Sequence, residues 1–157
     1  MTPHKGIEMA KAVLDQLNLV VADIEKSAAF YRRLGVEVPA SDPGPDGKPF
    51  HVNANPGGEF SFDLDSAFFA GIWNKAWKGR SDLAGRVVVG FSVDTREAVD
   101  AMYADIVAAG YKGLQPPFDA FWGARYAIVE DPDGIAVGLM SPSDPTRRSW
   151  PPEGWPG

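Results

Sequence analysis

Few side chains in this sequence can do chemistry, and their types and spacing already narrow the choices. The 157 residues include no cysteine and only two histidines, His4 and His51. Without thiols there is no disulfide scaffold, thiolate zinc site, iron–sulfur cluster or cysteine nucleophile. His51 precedes Glu59, Asp63 and Asp65, which together offer nitrogen and oxygen donors. Their spacing matches no recognised metal signature, and the plain reading of His51 is a residue at the surface or at a pocket rim. His4 falls in a short leader, 1–13. The other polar groups able to bind or activate a small molecule are Gln16, Asn18, Ser92 and Arg125. Asp131 and Asp133 flank a turn, where aspartate is expected to bond to nearby backbone. No glycine-rich phosphate loop, dinucleotide fingerprint or nucleophile elbow is present.

The elements that must position these groups follow from periodicity. Residues 13–21 alternate as a strand, and Asp23 is a good N-cap for a helix over 24–34, which Gly35 stops. A short strand at 36–38 and a loop at 41–49 follow. Strands at 50–54 and 59–64 are joined by Asn55-Pro56-Gly57-Gly58, a turn sequence. The same order then recurs: a strand at 86–93, Asp94 or Thr95 as cap, a helix over 98–109 ended by Gly110, and a short strand at 111–114. A proline-rich loop at 115–120 leads to strands at 124–130 and 135–140 around the turn 131–134. Gly35 and Gly110 stand 75 residues apart, and Pro56 and Pro132 stand 76 apart. Near-constant separation at two landmarks marks an internal duplication of a βαβββ module.

The segments are therefore a leader (1–13), a first module (14–65), a linker (66–85), a second module (86–141) and a tail (142–157) rich in proline and tryptophan. In the linker, Phe68, Phe69, Ile72, Trp73 and Trp77 have helical spacing and predict a helix over 67–78. The tail, with Trp150 and Trp155, is too rich in proline for a helix. It reads as disordered or as an arm laid on the domain or on a partner. An aromatic linker and tail would also suit an interaction module that binds a protein.

Composition limits the partners. The formal net charge is −6 and the isoelectric point about 4.8, which argues against a nucleic-acid footprint and suits a cationic ligand. Hydrophobic residues make up 45% of the chain, so it is not a disordered one. No run of 18 uncharged apolar residues exists, and the start lacks the apolar stretch of a signal peptide; a cytoplasmic protein with no membrane contact is expected.

Several stretches resemble the vicinal oxygen chelate superfamily of glyoxalases, bleomycin-resistance proteins and extradiol dioxygenases. They are the segment LDQLNLVVAD at 14–23, SAAFYRRLG at 27–35, residues 87–94, and WGARY at 122–126 followed by Asp131-Pro132-Asp133-Gly134. The resemblance implies an α+β fold in which two βαβββ modules form a curved mixed sheet around a central cleft, and implies a homodimer. In the family's enzymes a metal ion sits in that cleft on His, Gln or Glu from four strand positions.

Carried over one by one, those positions fall on Gln16, Val88, Gly138 and Phe62, with Ser61 or Asp63 replacing Phe62 after a one-residue shift. Valine and glycine cannot ligate, and a divalent site generally needs three protein ligands. No cofactor is therefore expected. Removing the ligands leaves Val88, Gly90, Gly138 and Phe62, with Ser92 and Met140, lining a roomy apolar cleft. This fits the branch that resembles antibiotic-sequestering proteins. Phe121 and Trp122 would stack on a planar ligand, Arg125 would bind a ligand oxygen or an internal carboxylate, Asp131 being the internal partner expected, and Gln16 and Asn18 would add polar contacts. The leading expectation is a metal-free binder of an aromatic or cationic small molecule such as an antibiotic. The alternative is an enzyme of the same superfamily, a lyase, isomerase or dioxygenase with unusual ligands or none.

Overall fold

The structure, a computed structural model, describes residues 16–41, 43–74 and 87–150. The leader with His4, the linker stretch holding Trp77 and the tail end with Trp155 lie outside the described residues.

The first module comprises β1 (Gln16–Val21), α1 (Ile24–Arg33), β2 (His51–Ala54) and β3 (Ser61–Ser66). Then come α2 (Ala67–Trp73), β4 (Val88–Ser92), α3 (Arg96–Ala108), β5 (Gly113–Asp119), β6 (Arg125–Glu130) and β7 (Ala136–Met140). The strand expected at 36–38 is reduced to one bridge, Glu37 with Asn55. The strands form two open mixed sheets, one from each module, ordered β1-β3-β2 and β4-β7-β6-β5, in the α+β arrangement expected of the duplicated pattern. In each, the first strand runs parallel to the last and the remaining neighbours are antiparallel. The two sheets thus repeat one topology.

The helix ends repeat as well. Asp23 accepts the N–H of Lys26, and Thr95, not Asp94, accepts that of Ala98, both at 3.1 Å. After each helix a glycine turns the chain with positive φ, 83° at Gly35 and 98° at Gly110. The next residue then bonds back five positions, Val36 to Tyr31 and Tyr111 to Ile106.

Proline content misled the reading of 115–120. Pro116 and Pro117 lie inside β5, whose register against β6 is irregular. That strand is the outer one of its sheet, and both prolines fall in the register irregularity between Gln115 and Phe118, the two settings in which a strand tolerates proline. The tail also differs from expectation, since Pro145–Arg147 form one 3-10 turn. Proline is tolerated there because the first N–H of a helix has no partner.

The core lies between the sheets and α1 and α3. Phe30 meets Tyr111 edge-on at 5.0 Å, and Tyr31 meets Phe62 at 5.1 Å and Phe91 at 6.2 Å. Helix α1 therefore packs on both modules. Its contact with the second is completed by the β6–β7 turn. The Tyr31 hydroxyl donates to Asp131 Oδ2 at 2.8 Å, while Asp133 accepts from the Ala22 N–H at 2.9 Å and from the Ser27 hydroxyl at 3.1 Å. Asp131 Oδ1 also accepts the N–H groups of Asp133 and Ile135.

Burial pushes the Asp131 carboxyl above its ordinary range, against the hydrogen bonds from Ile135, Tyr31 and Asp133. A carboxyl raised in the folded state contributes stability that is complete below its unfolded pKa and is lost as pH rises through its folded pKa. Asp131→Asn keeps an acceptor oxygen but cannot ionise. Thermal melts should therefore show it losing less stability than the parent from about pH 4 upward. Parallel pH profiles for the two proteins would clear Asp131 of this role.

Candidate functional site

Strand alternation sends each side chain either towards α1 and α3 or to the opposite face, which is open in the second module and flanked by Phe69 of α2 in the first. In the first module this opposite face carries Gln16 and Asn18 from β1, Ser61, Asp63 and Asp65 from β3, and His51 and Asn53 from β2, because the register pairs them directly. This face is polar and tightly bonded. Asp63, 6% exposed, accepts from Gln16 Nε2 at 2.9 Å, from Asn53 Nδ2, and from Asn18 Nδ2 at 3.4 Å. The same Asn18 amide donates at 2.9 Å to Asp65, which is 1% exposed. His51 Nδ1 lies 2.5 Å from the other Asp65 oxygen.

Phe62 is not on this face. It pairs with Leu17 on the helix side, is 2% exposed, and packs on Tyr31 and Phe91. The expectation that it lines the cleft is corrected for that reason. The alternation of Phe62 and Leu64 with Ser61, Asp63 and Asp65 carried the signal.

In the second module the open face is apolar. Val88, Gly90 and Ser92 lie opposite Ala136, Gly138 and Met140, and Tyr126 and Ile128 pair with Met140 and Gly138. Val88 is 45% exposed and Met140 38%. The two glycines do different jobs. A Cβ at Gly90 would meet nothing within 4 Å, so space stands open there. A Cβ at Gly138 would come within 2.8 Å of the Tyr126 hydroxyl, so this glycine accommodates a ring of the protein itself. Gly138 therefore does not open the face as expected.

Arg125 takes the second of its two expected roles, pairing with internal carboxylates rather than facing a ligand, though Asp131 is not among them. Alternation puts it on the α3 side, where Nε donates to Asp100 at 2.9 Å and Nη1 to Asp119 at 3.3 Å. The Asp100 bond helps hold its guanidinium above the ordinary range. It pairs neither with Asp131 nor with anything on the open face. Its neighbour Tyr126 is the residue that sequence reading missed, although the inward Ala127 and Val129, both fully buried, place Tyr126 outward.

Tyr126 belongs to an aromatic cluster. Its ring centroid lies 5.5 Å from that of Trp122 and 6.1 Å from that of Phe118. Phe121 lies 5.2 Å from Trp122 and 5.5 Å from Trp150. Trp150 arrives on a strap formed by 143–149. Ser143 and Arg148 donate to the Trp122 carbonyl, and the Ser149 N–H donates to the Phe121 carbonyl at 3.0 Å. Between the strap and Phe121-Trp122 lies a cavity of about 360 Å³. The Trp122 Nε1 is buried, with no hydrogen-bond partner among the described residues. A concavity of about 540 Å³ lies at the outer edge of the first module beside Arg32 and Asn55. The Arg32 guanidinium there is already engaged, donating twice to the Val38 carbonyl.

The residues do not suit the family's metal ion. Gln16 presents a donor atom and the shifted fourth position presents Asp63, but the Gln16 amide is turned to Asp63 as a hydrogen-bond donor, and two such groups fall short of a three-ligand site. Val88 and Gly138 offer none, and Phe62 faces the core. Among the described residues no three His, Asp or Glu side chains are placed to share an ion.

The family model of the Glyoxalase/Bleomycin resistance protein/Dioxygenase superfamily matches residues 13–139. The chain belongs to that superfamily. Solved structures with the same fold include a glyoxalase-related enzyme from Fulvimarina pelagi. It is 20% identical with a TM-score of 0.70, over 84% of this chain and 89% of that one. An antibiotic binding protein, TnmS3 from Streptomyces sp. CB03234, is 28% identical with a TM-score of 0.59, over 86% and 99%. A lactoylglutathione lyase from Agrobacterium tumefaciens is 17% identical with a TM-score of 0.60, over 84% and 95%. Curated proteins give no match by sequence. Among the described residues no helix is long and apolar enough to cross a membrane.

Proposed function

We propose that this superfamily member binds an aromatic or cationic small molecule of the antibiotic type, in the cytoplasm and without a metal ion. The observation that carries the reading is the open face of the second module. Where a metalloenzyme of the superfamily needs ligands, this face offers only Val88 and Gly138; Gly90 and Met140 lie beside them, and Tyr126, Trp122 and Phe118 border the face. A planar ligand gains burial and ring contacts there, each ring pair worth about 0.5–1.5 kcal/mol beyond area. The likeness to an antibiotic binding protein supports the same reading. The exposure of Val88 and Met140 in one chain suits a homodimer in which a second copy covers the face.

Fluorescence titration with planar aromatic antibiotics tests this proposal. Saturable quenching is expected, undiminished by a chelator and weakened by Trp122→Phe, in a species of twice the chain mass by light scattering. Absence of quenching across the panel, or its loss on chelation, would sink the metal-free binding site.

A further inference from the structure

The polar face of the first module holds an arrangement that ligand sequestration does not require. We infer that His51 is a general base, set for a planar, partly apolar substrate with an acidic C–H or O–H. It goes beyond binding and concerns a different module.

Three observations carry it. First, the Asp65 carboxylate lies 2.5 Å from His51 Nδ1 and is 1% exposed. An imidazole donating Nδ1–H to a carboxylate keeps its lone pair on Nε2, the arrangement by which a buried aspartate fixes the tautomer and orientation of a histidine base. Second, Asp65 is itself fixed. Asn18 Nδ2 donates to its second oxygen at 2.9 Å, and the same amide reaches Asp63, which Gln16 and Asn53 also hold. The carboxylate cannot turn away without breaking a network across three strands. Third, the histidine remains reachable. Its side chain is 35% exposed, and no hydrogen bond to Nε2 forms among the described residues. Phe69 of α2 stands 5.6 Å from the imidazole at 61° and Phe50 stands 6.3 Å away, giving the base an aromatic flank. A core histidine satisfied at both nitrogens would show none of this openness. In this arrangement His51 would be the catalytic residue, and Asp65 and Asn18 positioning residues.

The probe is 5-nitrobenzisoxazole, a planar carbon acid that needs no co-reactant. The base takes the C3 proton, the C–H electron pair completes the nitrile, the N–O bond breaks, and 2-cyano-4-nitrophenolate leaves. Nε2 then returns its proton to water. The intact protein should catalyse this elimination above buffer, and His51→Gln should lower the rate about tenfold or more. His4→Gln, which removes the other histidine, should leave it unchanged. A second measurement needs no variant to fold: long-range ¹⁵N–¹H spectra of the unmodified protein should show His51 as the Nδ1–H tautomer. Asp65→Asn should weaken that preference. Equal rates in parent and His51→Gln, or an Nε2–H tautomer at His51, would overturn the assignment. Neither result touches the Trp122 quenching, so failure of the base and failure of the binding site are told apart.

Discussion

Phe62→Ala should cost about 3–5 kcal/mol of folding stability, read from chemical denaturation, and leave ligand quenching at Trp122 intact below the melting range. The ring sits where both modules meet. It packs edge-on against Tyr31 at 82° and against Phe91 at 72°, and Phe91 comes from β4 of the second module. Truncation removes the buried ring and opens a void that α1 cannot fill without leaving its contacts with Tyr111 and Asp131. Phe62→Leu should recover much of the loss, because volume rather than ring character is chiefly at stake. A truncation that cost under about 1 kcal/mol but weakened ligand binding would return Phe62 to the opposite face.

Gly123→Ala should be the most damaging change at the aromatic end. Gly123 has φ of 100°, a conformation costing a residue with a Cβ about 1–3 kcal/mol. The added carbon would also lie 2.2 Å from the Asp144 carbonyl oxygen, a backbone atom with little freedom to retreat. The Gly123 carbonyl meanwhile accepts from the Asp144 N–H at 3.0 Å and from Arg96 at 3.1 Å. The substitution therefore lifts the strap that carries Trp150 against Phe121. A lower melting temperature should accompany changed tryptophan emission and faster proteolysis after residue 141. If emission and proteolysis matched the parent, the strap would not depend on this turn.

Much of the architecture was legible because duplication states each element twice. The cap at Asp23, the stops at Gly35 and Gly110 and the turn at 131–134 each demand a residue type for a local reason, and local reasons are what sequence shows. The site was less legible. Its face assignments hinge on strand register, where a shift of one residue reverses every side chain. Matching a family position onto Phe62 carried that error, whereas the alternation with Asp63 and Asp65 pointed the other way. For Arg125 an internal carboxylate is legible as one of two roles but its identity is not, because the partners, Asp100 and Asp119, are distant in sequence or on an edge strand. The bond between His51 and Asp65 joins two strands and needs their pairing to be known.

The β6–β7 turn breaks the symmetry that duplication would otherwise impose. Its two aspartates reach across to α1 of the other module. The matching turn in the first module is Asn55-Pro56-Gly57-Gly58, and the Asn55 side chain spends its oxygen on the Gly57 N–H within that turn. One half of the duplication thus gives and the other receives. The halves have become complementary rather than interchangeable, and a chain built from two copies of the first would lack the carboxylates that hold its helix in place.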